Sequence, residues 1–430
     1  MRWNGITFKP AGRQVLSNVS GEVTPGRLLV VMGPSGCGKT SLLNVLSSRN
    51  RNVQGSVTYN GGPWSDKLGP QVAYMHQEDL FLPDLTAREH LVFASMLKMD
   101  RSVPQAERSK RIDRVIAELG LTDCKDTLIG TIGAGISGGE RKRLSLAAEI
   151  LSDPSLLLVD EPTSGLDSAM AESVIQLLKQ LAEGTEGGQP RTVIATIHQP
   201  SRDVFLQFAD LKILTEGQVA FLGQAASAVD YFAELGHPCP MDVNPPEHFP
   251  RLVSSHLGAE AELRQQSQDR IRSLLDGYAS RCEPLSLAAD AVTEPDEASG
   301  SKSAYTTSML RQVRVLYRRE TLLRRRSKLL FKAIVGRTIV LTLLVGFVWW
   351  QLPFDGTLKS IQSVMGVLQF ILINQFMIAG AGLVQTIPFT IQAVLRKPSC
   401  ASRASRAVGM RRERTGVHPG GPSGDLPGTF

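Results

Sequence analysis

A glycine-rich loop between an apolar run and the start of a helix constrains this sequence more than any other feature. The loop reads Gly33-Pro34-Ser35-Gly36-Cys37-Gly38-Lys39-Thr40 and follows the apolar residues 28–32. Its glycines let backbone N–H groups converge on one point, where the N-terminus of the following helix adds partial positive charge. Strand, glycine loop and helix in this order are typical of a phosphate-binding P-loop, and a plain glycine turn is the alternative.

The loop predicts a nucleotide site in which two residues have distinct tasks. Lys39 is expected to reach the β- and γ-phosphates, and Thr40 to ligate Mg²⁺. The predicted nucleotide-binding residues are Gly33, Pro34, Ser35, Gly36, Cys37, Gly38, Lys39, Thr40 and Ser41. No redox role is assigned to Cys37. The five cysteines of the chain are scattered without a C-x-x-C pair, a pattern that suits a reducing cytosol.

A second motif is the apolar run 156–159, which is followed by Asp160 and Glu161. Four apolar residues predict a buried strand that delivers two acids to its C-terminal end. Asp160 fits the Walker B role of holding Mg²⁺, and Glu161 is placed to accept a proton from an attacking water. An acidic helix cap is the alternative, and it is weakened by the P-loop earlier in the same chain.

A third motif, Ser137-Gly138-Gly139-Glu140, precedes a stretch whose apolar residues recur at helical spacing. It therefore lies at another helix N-terminus and predicts a second anion site. The two phosphate-binding elements need not hold the same phosphate within one molecule.

Together these motifs resemble those of ABC ATPases, since Ser137–Glu140 is similar to the ABC signature. Gln77 resembles the Q-loop glutamine, residues 164–167 resemble the D-loop, and His198 resembles the switch histidine. The resemblance implies that Gln77 orders the metal together with Thr40 and Asp160.

The same resemblance implies roles in catalysis and in a dimer. Glu161 and His198 are expected to be catalytic, with His198 contacting the γ-phosphate. Residues Ser137, Gly138, Gly139 and Glu140 are expected to complete the nucleotide site of a partner chain. The cofactors implied are ATP and Mg²⁺.

Residues 231–240 and 244–247 narrow the resemblance to the G (White) subfamily of ABC half-transporters, which covers about residues 2–397. In that subfamily the nucleotide-binding domain precedes the membrane domain, and two half-transporters, identical or different, form a dimer. Closure on ATP there drives export of lipids or other amphipathic small molecules. Two departures are local: Ile136 begins the signature, and the adenine-stacking aromatic is undefined, with Phe8 the nearest candidate.

Apolar runs and helical patterns divide the chain of 430 residues into regions. The expected fold is an α/β P-loop NTPase over residues 1–250, an ABC-type nucleotide-binding domain with a helical subdomain at about 85–150. A partial all-α transmembrane domain follows it. Residues 251–308 are predicted to be a linker and 309–332 a basic, cytosolic connecting helix.

Residues 333–395 are predicted to form a partial transmembrane domain with spans at about 333–352 and 363–386. The two apolar stretches predict an integral membrane protein in contact with membrane lipids. The basic flank before the first span predicts that its nucleotide-binding domain is cytosolic. A buried core hairpin is the alternative. A nucleic-acid partner is not expected, because it would leave the apolar stretches unexplained.

Residues 396–430 are predicted to be a disordered basic tail. They hold seven basic and two acidic residues, nearly the whole net charge of +6. The subfamily has six spans, so the break after Arg396 predicts a truncation, through a frameshift, a mis-spliced exon or a faulty gene model. Our leading function is an ATP-hydrolysing transporter subunit. A non-transporting fragment that regulates a full-length half-transporter is the second hypothesis, and a soluble ABC ATPase the third.

Overall fold

The computed structural model describes most of the first two thirds of the chain. The described residues are 1–100, 102–131, 133–184, 189–254, 261–281, 308–326, 328–348, 350, 358, 361–374 and 376. The chain divides into two compact units, Met1–Gln351 and Leu352–Phe430. In the second unit, residues 361–374 are helical. The predicted basic tail lies outside the described residues.

Among the described residues, the strands all belong to the first unit. They are β1 (Arg2–Phe8), β2 (Leu16–Glu22), β3 (Leu28–Met32), β4 (Gln54–Tyr59), β5 (Gly62–Pro63), β6 (Val72–Met75), β7 (Gly130–Thr131), β8 (Ala134–Gly135), β9 (Leu156–Asp160), β10 (Thr192–Thr196), β11 (Asp210–Thr215) and β12 (Gln218–Gln224).

The α-helices are interleaved with these strands and continue after them. They are α1 (Lys39–Leu46), α2 (Ala87–Lys98), α3 (Gln105–Glu118), α4 (Gly138–Ile150), α5 (Ser168–Glu183), α6 (Arg202–Phe205), α7 (Ala228–Glu234), α8 (Pro245–Leu252), α9 (Ala261–Arg281), α10 (Met309–Arg326) and α11 (Lys328–Val348).

A largely parallel sheet forms the centre of the first unit, with strand order β12-β11-β3-β10-β9-β6. Strand β12 pairs antiparallel with β11 at one edge, and the other pairings are parallel. Strands β3, β9 and β10 are buried along their whole length, as their apolar sequences predict. Thr196 pairs with Asp160 on β9 and with Val31 on β3, so these strands end together at one sheet edge.

Two apolar cores cover the faces of this sheet, because alternate residues of a strand point to opposite sides. Leu29 and Val31 of β3 pack with α1 and with the antiparallel sheet β2-β1-β4-β5. Leu28, Val30 and Met32 pack into the core that contains helices α2 to α5. The two faces are therefore occupied by different layers, and the α/β fold predicted from the sequence is confirmed.

Helices α2, α3 and α4 form the predicted helical subdomain. Arg108 of α3 is 1% exposed and binds backbone carbonyls instead of an acid. Its guanidinium donates to the oxygens of Ser95 at 2.6 Å and Val103 at 3.0 Å, and also to that of Asp100. A buried charge that satisfies several carbonyls fixes the end of α2 against the start of α3.

Residues 251–308 differ from the predicted linker, because they contain helix α9. Ile271 and Leu274 of α9 are buried, with 1% and 0% exposure, and Leu274 belongs to the main apolar core. Arg270 donates to the carbonyl oxygen of Leu252 at 2.9 Å, which ties α9 to the end of α8. The helical spacing of Ile271, Leu274, Leu275 and Tyr278 was the signal for this helix.

The predicted connecting helix 309–332 corresponds to α10 and the first residues of α11. Arg326 at the end of α10 forms two hydrogen bonds with the carboxylate of Glu89 on α2, at 2.6 and 2.7 Å. None of the helices within the described residues has the length and apolar content that crossing a membrane requires. The spans at 333–352 and 363–386 include residues outside the described ranges and stay predictions.

Candidate active site

The P-loop follows β3 and wraps around the ammonium group of Lys39. Lys39 is 6% exposed, and its Nζ donates to the carbonyl oxygens of Gly33 at 2.8 Å and Pro34 at 3.1 Å. Helix α1 begins at Lys39, so its free N–H groups and its positive dipole end face the loop. The loop can thus offer backbone donors and one cation to an anion.

Two loop positions require glycine. Gly33 has φ +150°, and a Cβ there would lie 2.2 Å from the carbonyl oxygen of Leu214. Gly38 caps α1 with φ +104°, and its Cβ would lie 2.7 Å from Cδ2 of Leu16. The close approach of Leu214 and Leu16 therefore excludes a side chain at Gly33 and at Gly38. Cys37 between them is 4% exposed, and burial raises the pKa of its thiol, so it stays protonated and unreactive.

Asp160 ends β9 within reach of three hydroxyl groups. Its Oδ1 accepts from Thr196 Oγ1 at 2.7 Å and from Thr40 Oγ1 at 3.2 Å, and its Oδ2 accepts from Tyr74 OH at 3.3 Å. Burial, followed by the charge of Asp160, raises the pKa of Tyr74, so its phenol remains a donor.

This group of oxygens fits Mg²⁺, which prefers one or two carboxylates plus substrate phosphates to an all-protein cage. Within the described residues, no group of three or more His, Cys, Asp and Glu side chains could hold a metal. Asp160 and Thr40, next to the P-loop, are the residues that would hold the ion, and the ion would neutralise phosphate charge.

Glu161 follows Asp160 in a strained backbone conformation with φ +47°. Its N–H donates to Thr196 Oγ1 at 2.9 Å, and its Oε2 accepts from Gln77 Nε2 at 2.6 Å. The left-handed conformation turns the chain away from the strand line of Asp160. Gln77 was predicted as a metal ligand, whereas its side chain here contacts the neighbouring carboxylate of Glu161.

His198 lies beyond the end of β10 and contacts the P-loop. Its Nε2 is 3.1 Å from Ser35 Oγ. Thus three strand ends and the P-loop meet at one edge of the sheet, as expected for ligand sites in open α/β sheets.

The predicted signature lies apart from this group, at the N-terminus of α4. Ser137 and Glu140 form a capping box: Ser137 N donates to Glu140 Oε2 at 2.7 Å, and Glu140 N donates to Ser137 Oγ at 3.2 Å. Burial alone would raise the pKa of Glu140, but its hydrogen bonds with Ser137, together with Cys124 and Arg143, lower that pKa below its ordinary value. Ser137 and Gly138 are exposed, so this anion-attracting helix end is open to another molecule.

The contacts of Tyr74 and Thr196 with Asp160 were not predicted from the sequence. Both are polar residues near the C-terminal ends of mostly apolar strands, and that position is the signal that could have identified them. Phe8, the candidate for stacking on adenine, is half-buried and packs against the core next to α1.

The fold and this site define the ATP-binding domain of an ABC-type ATPase. A family model described as "ABC transporter" matches residues 16–164, and models described as "ABC-2 type transporter" match 311–397 and 198–292. A model described as "AAA domain, putative AbiEii toxin, Type IV TA system" matches 133–201, inside the ATPase region.

Curated relatives extend the similarity along the chain. "Protein white" of Drosophila melanogaster is 39% identical over 378 residues, covering 85% of this chain and 53% of that protein. The "Broad substrate specificity ATP-binding cassette transporter ABCG2" of Sus scrofa is 35% identical over 399 residues, covering 86% and 59%. This chain belongs to the G (White) subfamily of ABC half-transporters. It spans about half the length of the curated relatives it matches.

Proposed function

We propose that the chain binds Mg²⁺–ATP at the edge where β3, β9 and β10 end and hydrolyses it as one half of a dimeric transporter. The observation that carries this proposal is the meeting of Thr40, Asp160 and Thr196 beside the buried ammonium of Lys39. Lys39 leaves the carbonyls of Gly33 and Pro34 and turns to phosphate oxygens. This exchange is favourable because a charged acceptor binds an ammonium more strongly than a neutral one does.

Glu161 acts on the attacking water, and Gln77 positions the carboxylate of Glu161. The amide of Gln77 donates to the carboxylate of Glu161 and so sets the orientation of that carboxylate. His198, already in contact with Ser35 of the P-loop, is placed to donate to the γ-phosphate. Catalysis then depends mainly on positioning and on neutralising charge, as in other phosphoryl transfers.

The partner we propose is a second half-transporter, identical or different, that faces the exposed N-terminus of α4. Ser137 satisfies its own helix through the capping box, and Gly138 next to it is exposed and lacks a side chain. A phosphate held by the partner's P-loop can closely approach the backbone N–H groups at the N-terminus of α4. Each site of the dimer would therefore use Lys39 from one chain and Ser137 from the other.

The work that we assign to hydrolysis is transport of lipids or other amphipathic molecules across a membrane, with the ATPase domain in the cytosol. Helix α11, inside the match to the "ABC-2 type transporter" model, supports this assignment. It exposes Ile339, Val340, Leu343 and Phe347 by 54%, 63%, 68% and 85%. Apolar surface of this extent is stabilised by a bilayer or by other membrane helices.

The experiment measures phosphate release and lipid movement by the purified chain in vesicles. Wild type is expected to hydrolyse ATP only with Mg²⁺, while Lys39→Ala loses ATP binding because no cation remains in the loop. Lys179→Ala, which removes an exposed lysine on α5, serves as the matched control. Equal phosphate release by wild type and Lys39→Ala contradicts ATP hydrolysis at this site. ATP turnover without movement of labelled lipids or amphipathic dyes contradicts the transport assignment alone.

A further inference from the structure

A buried ion pair joins the signature helix to the loop that follows β6. Lys142 of α4 is 6% exposed, and its Nζ donates to the backbone oxygen of Gln77 at 2.6 Å. The same Nζ lies 3.1 Å from Oδ2 of Asp79, whose side chain is 14% exposed. Lys142 therefore contacts both the residue that holds Glu161 and an acid two positions later.

Burial makes the contact between Lys142 and the loop costly to break. A buried ammonium is costly without partners, so Lys142 keeps the loop close to α4. The other carboxylate oxygen of Asp79, Oδ1, has no hydrogen-bond partner within the described residues, so Lys142 is the charge that compensates this acid. Loop and helix are expected to move together, since separating them would leave two buried charges unpaired.

Gln77 uses its two polar ends on different elements. Its side chain donates to Glu161 Oε2 at 2.6 Å, and its backbone oxygen accepts from Lys142. Helix α4, which carries Lys142, begins directly after Ser137. A contiguous path of two hydrogen bonds and one helix thus runs from Glu161 to the signature of the same chain.

We propose that Lys142 is a positioning residue that couples the two nucleotide sites of the dimer. The inference rests on the proposed function, in which Glu161 and Ser137 of one chain serve opposite sites. A change at Gln77 on binding one nucleotide is passed through Lys142 to α4, and so to the site of the partner's P-loop.

The test uses mixed dimers with one usable site. All chains carry Glu161→Gln, so bound ATP is retained. One chain also carries Ser137→Arg and the other Lys39→Ala. The usable site then combines the P-loop of the first chain with the signature of the second. Lys142→Met is placed on either chain in turn, and ATP retained after gel filtration is measured.

Both placements are expected to lower ATP affinity about tenfold, a change within the usual range for the interaction of two neighbouring residues. On the first chain Lys142→Met disturbs the loop beside the usable P-loop, and on the second it disturbs the usable signature. Lys142→Arg, which keeps the charge and a donor, should restore retention in both placements. Lys110→Met, on the exposed face of α3, is the control that should change neither.

A loss confined to the second chain would assign Lys142 a role in α4 alone and overturn the coupling, as would no loss in either placement. Asp79→Asn, which removes the charge without changing the shape, should reproduce both losses if Lys142→Met does not fold. The mixed dimer with Lys142 unchanged separates failure of the coupling from failure of the proposed function. If it retains no ATP while the Glu161→Gln homodimer does, the shared-site function fails, whatever Lys142 does.

Discussion

The side-chain amide of Gln77 donates to the carboxylate of Glu161 over 2.6 Å and so joins the loop after β6 to the end of β9. Neither residue contacts the other through the backbone sheet, because β6 and β9 pair only from Val72–Leu156 to Met75–Val159. The hydrogen bond therefore closes the edge of the sheet just beyond its last backbone pairs. It fixes the orientation of the carboxylate one residue beyond Asp160.

Replacing Glu161 should separate ATP binding from ATP turnover. Glu161→Gln keeps the size of the side chain but removes the base, so turnover should fall by about 10²- to 10⁴-fold while ATP binding persists. Phosphate release and equilibrium binding of labelled ATP measure the two effects. The matched control is Glu183→Gln at the exposed end of α5. Undiminished turnover in Glu161→Gln would remove this residue from the reaction.

Tyr74 should matter for the metal although it is not a ligand. Tyr74→Phe removes the donor to Asp160 Oδ2 and leaves the packing of β6 intact. Groups that orient a metal ligand typically change metal affinity by about 10- to 100-fold, so half-saturation of turnover should require more Mg²⁺. ATP binding without metal should be unchanged.

Tyr59→Phe is the comparison for this prediction, because Tyr59 is a buried tyrosine of the antiparallel sheet. An unchanged Mg²⁺ requirement in Tyr74→Phe, or an equal change in Tyr59→Phe, would contradict the role given to Tyr74.

The contact of Glu89 with Arg326 should make stability depend on pH. Burial alone would raise the pKa of Glu89, but Arg326 and Thr86 outweigh it and hold the pKa below its ordinary value of 4.5. A carboxyl with a lowered folded-state pKa contributes stability above its unfolded-state pKa, and this contribution disappears as pH falls through the folded value. Wild type should therefore melt higher than Glu89→Gln above pH 4.5.

As pH falls further, through the lowered folded-state pKa of Glu89, the melting temperatures of wild type and Glu89→Gln should converge, since both side chains are then neutral in the folded protein. Glu183→Gln, again from the exposed end of α5, should show no such pH-dependent difference. A constant difference between wild type and Glu89→Gln at all pH values would mean that packing, not charge, explains the effect.

Sequence alone predicted the parts of the fold that follow from short, local patterns. Fully apolar runs such as 156–159 indicate buried strands of a parallel sheet, and the glycine loop with Lys39 is typical of a position between a strand and a helix. The P-loop, Asp160 and His198 do meet at one sheet edge. Their proximity could be predicted because the C-terminal ends of parallel strands lie at the same edge of a sheet.

The contacts that complete the site could not be read from sequence spacing. Tyr74 contacts Asp160, and Lys142 contacts Gln77, only after strands and helices that are distant in the sequence pack together. Helix α9 was missed because its few apolar residues lie among many polar ones, and its stability comes from packing near α8.

The central claim is that the P-loop of one chain and the signature of another meet around ATP. The most direct measurement is cross-linking between chains of different size, one carrying Ser35→Cys and the other Ser137→Cys, both with Glu161→Gln. Ser35 and Ser137 are exposed, whereas the native thiol of Cys37 is buried. A short bifunctional thiol reagent is added with and without Mg²⁺–ATP, and chains that lack either new cysteine are the controls.

The account predicts that the mixed product forms with ATP and that chains carrying only one of the two cysteines do not cross-link to themselves. Adding Lys39→Ala to the Ser35→Cys chain should abolish the product, because that chain no longer holds the nucleotide. If ATP is bound but the mixed product does not form, or if Ser35 and Ser137 cross-link only within a single chain that carries both cysteines, the shared-site account is contradicted.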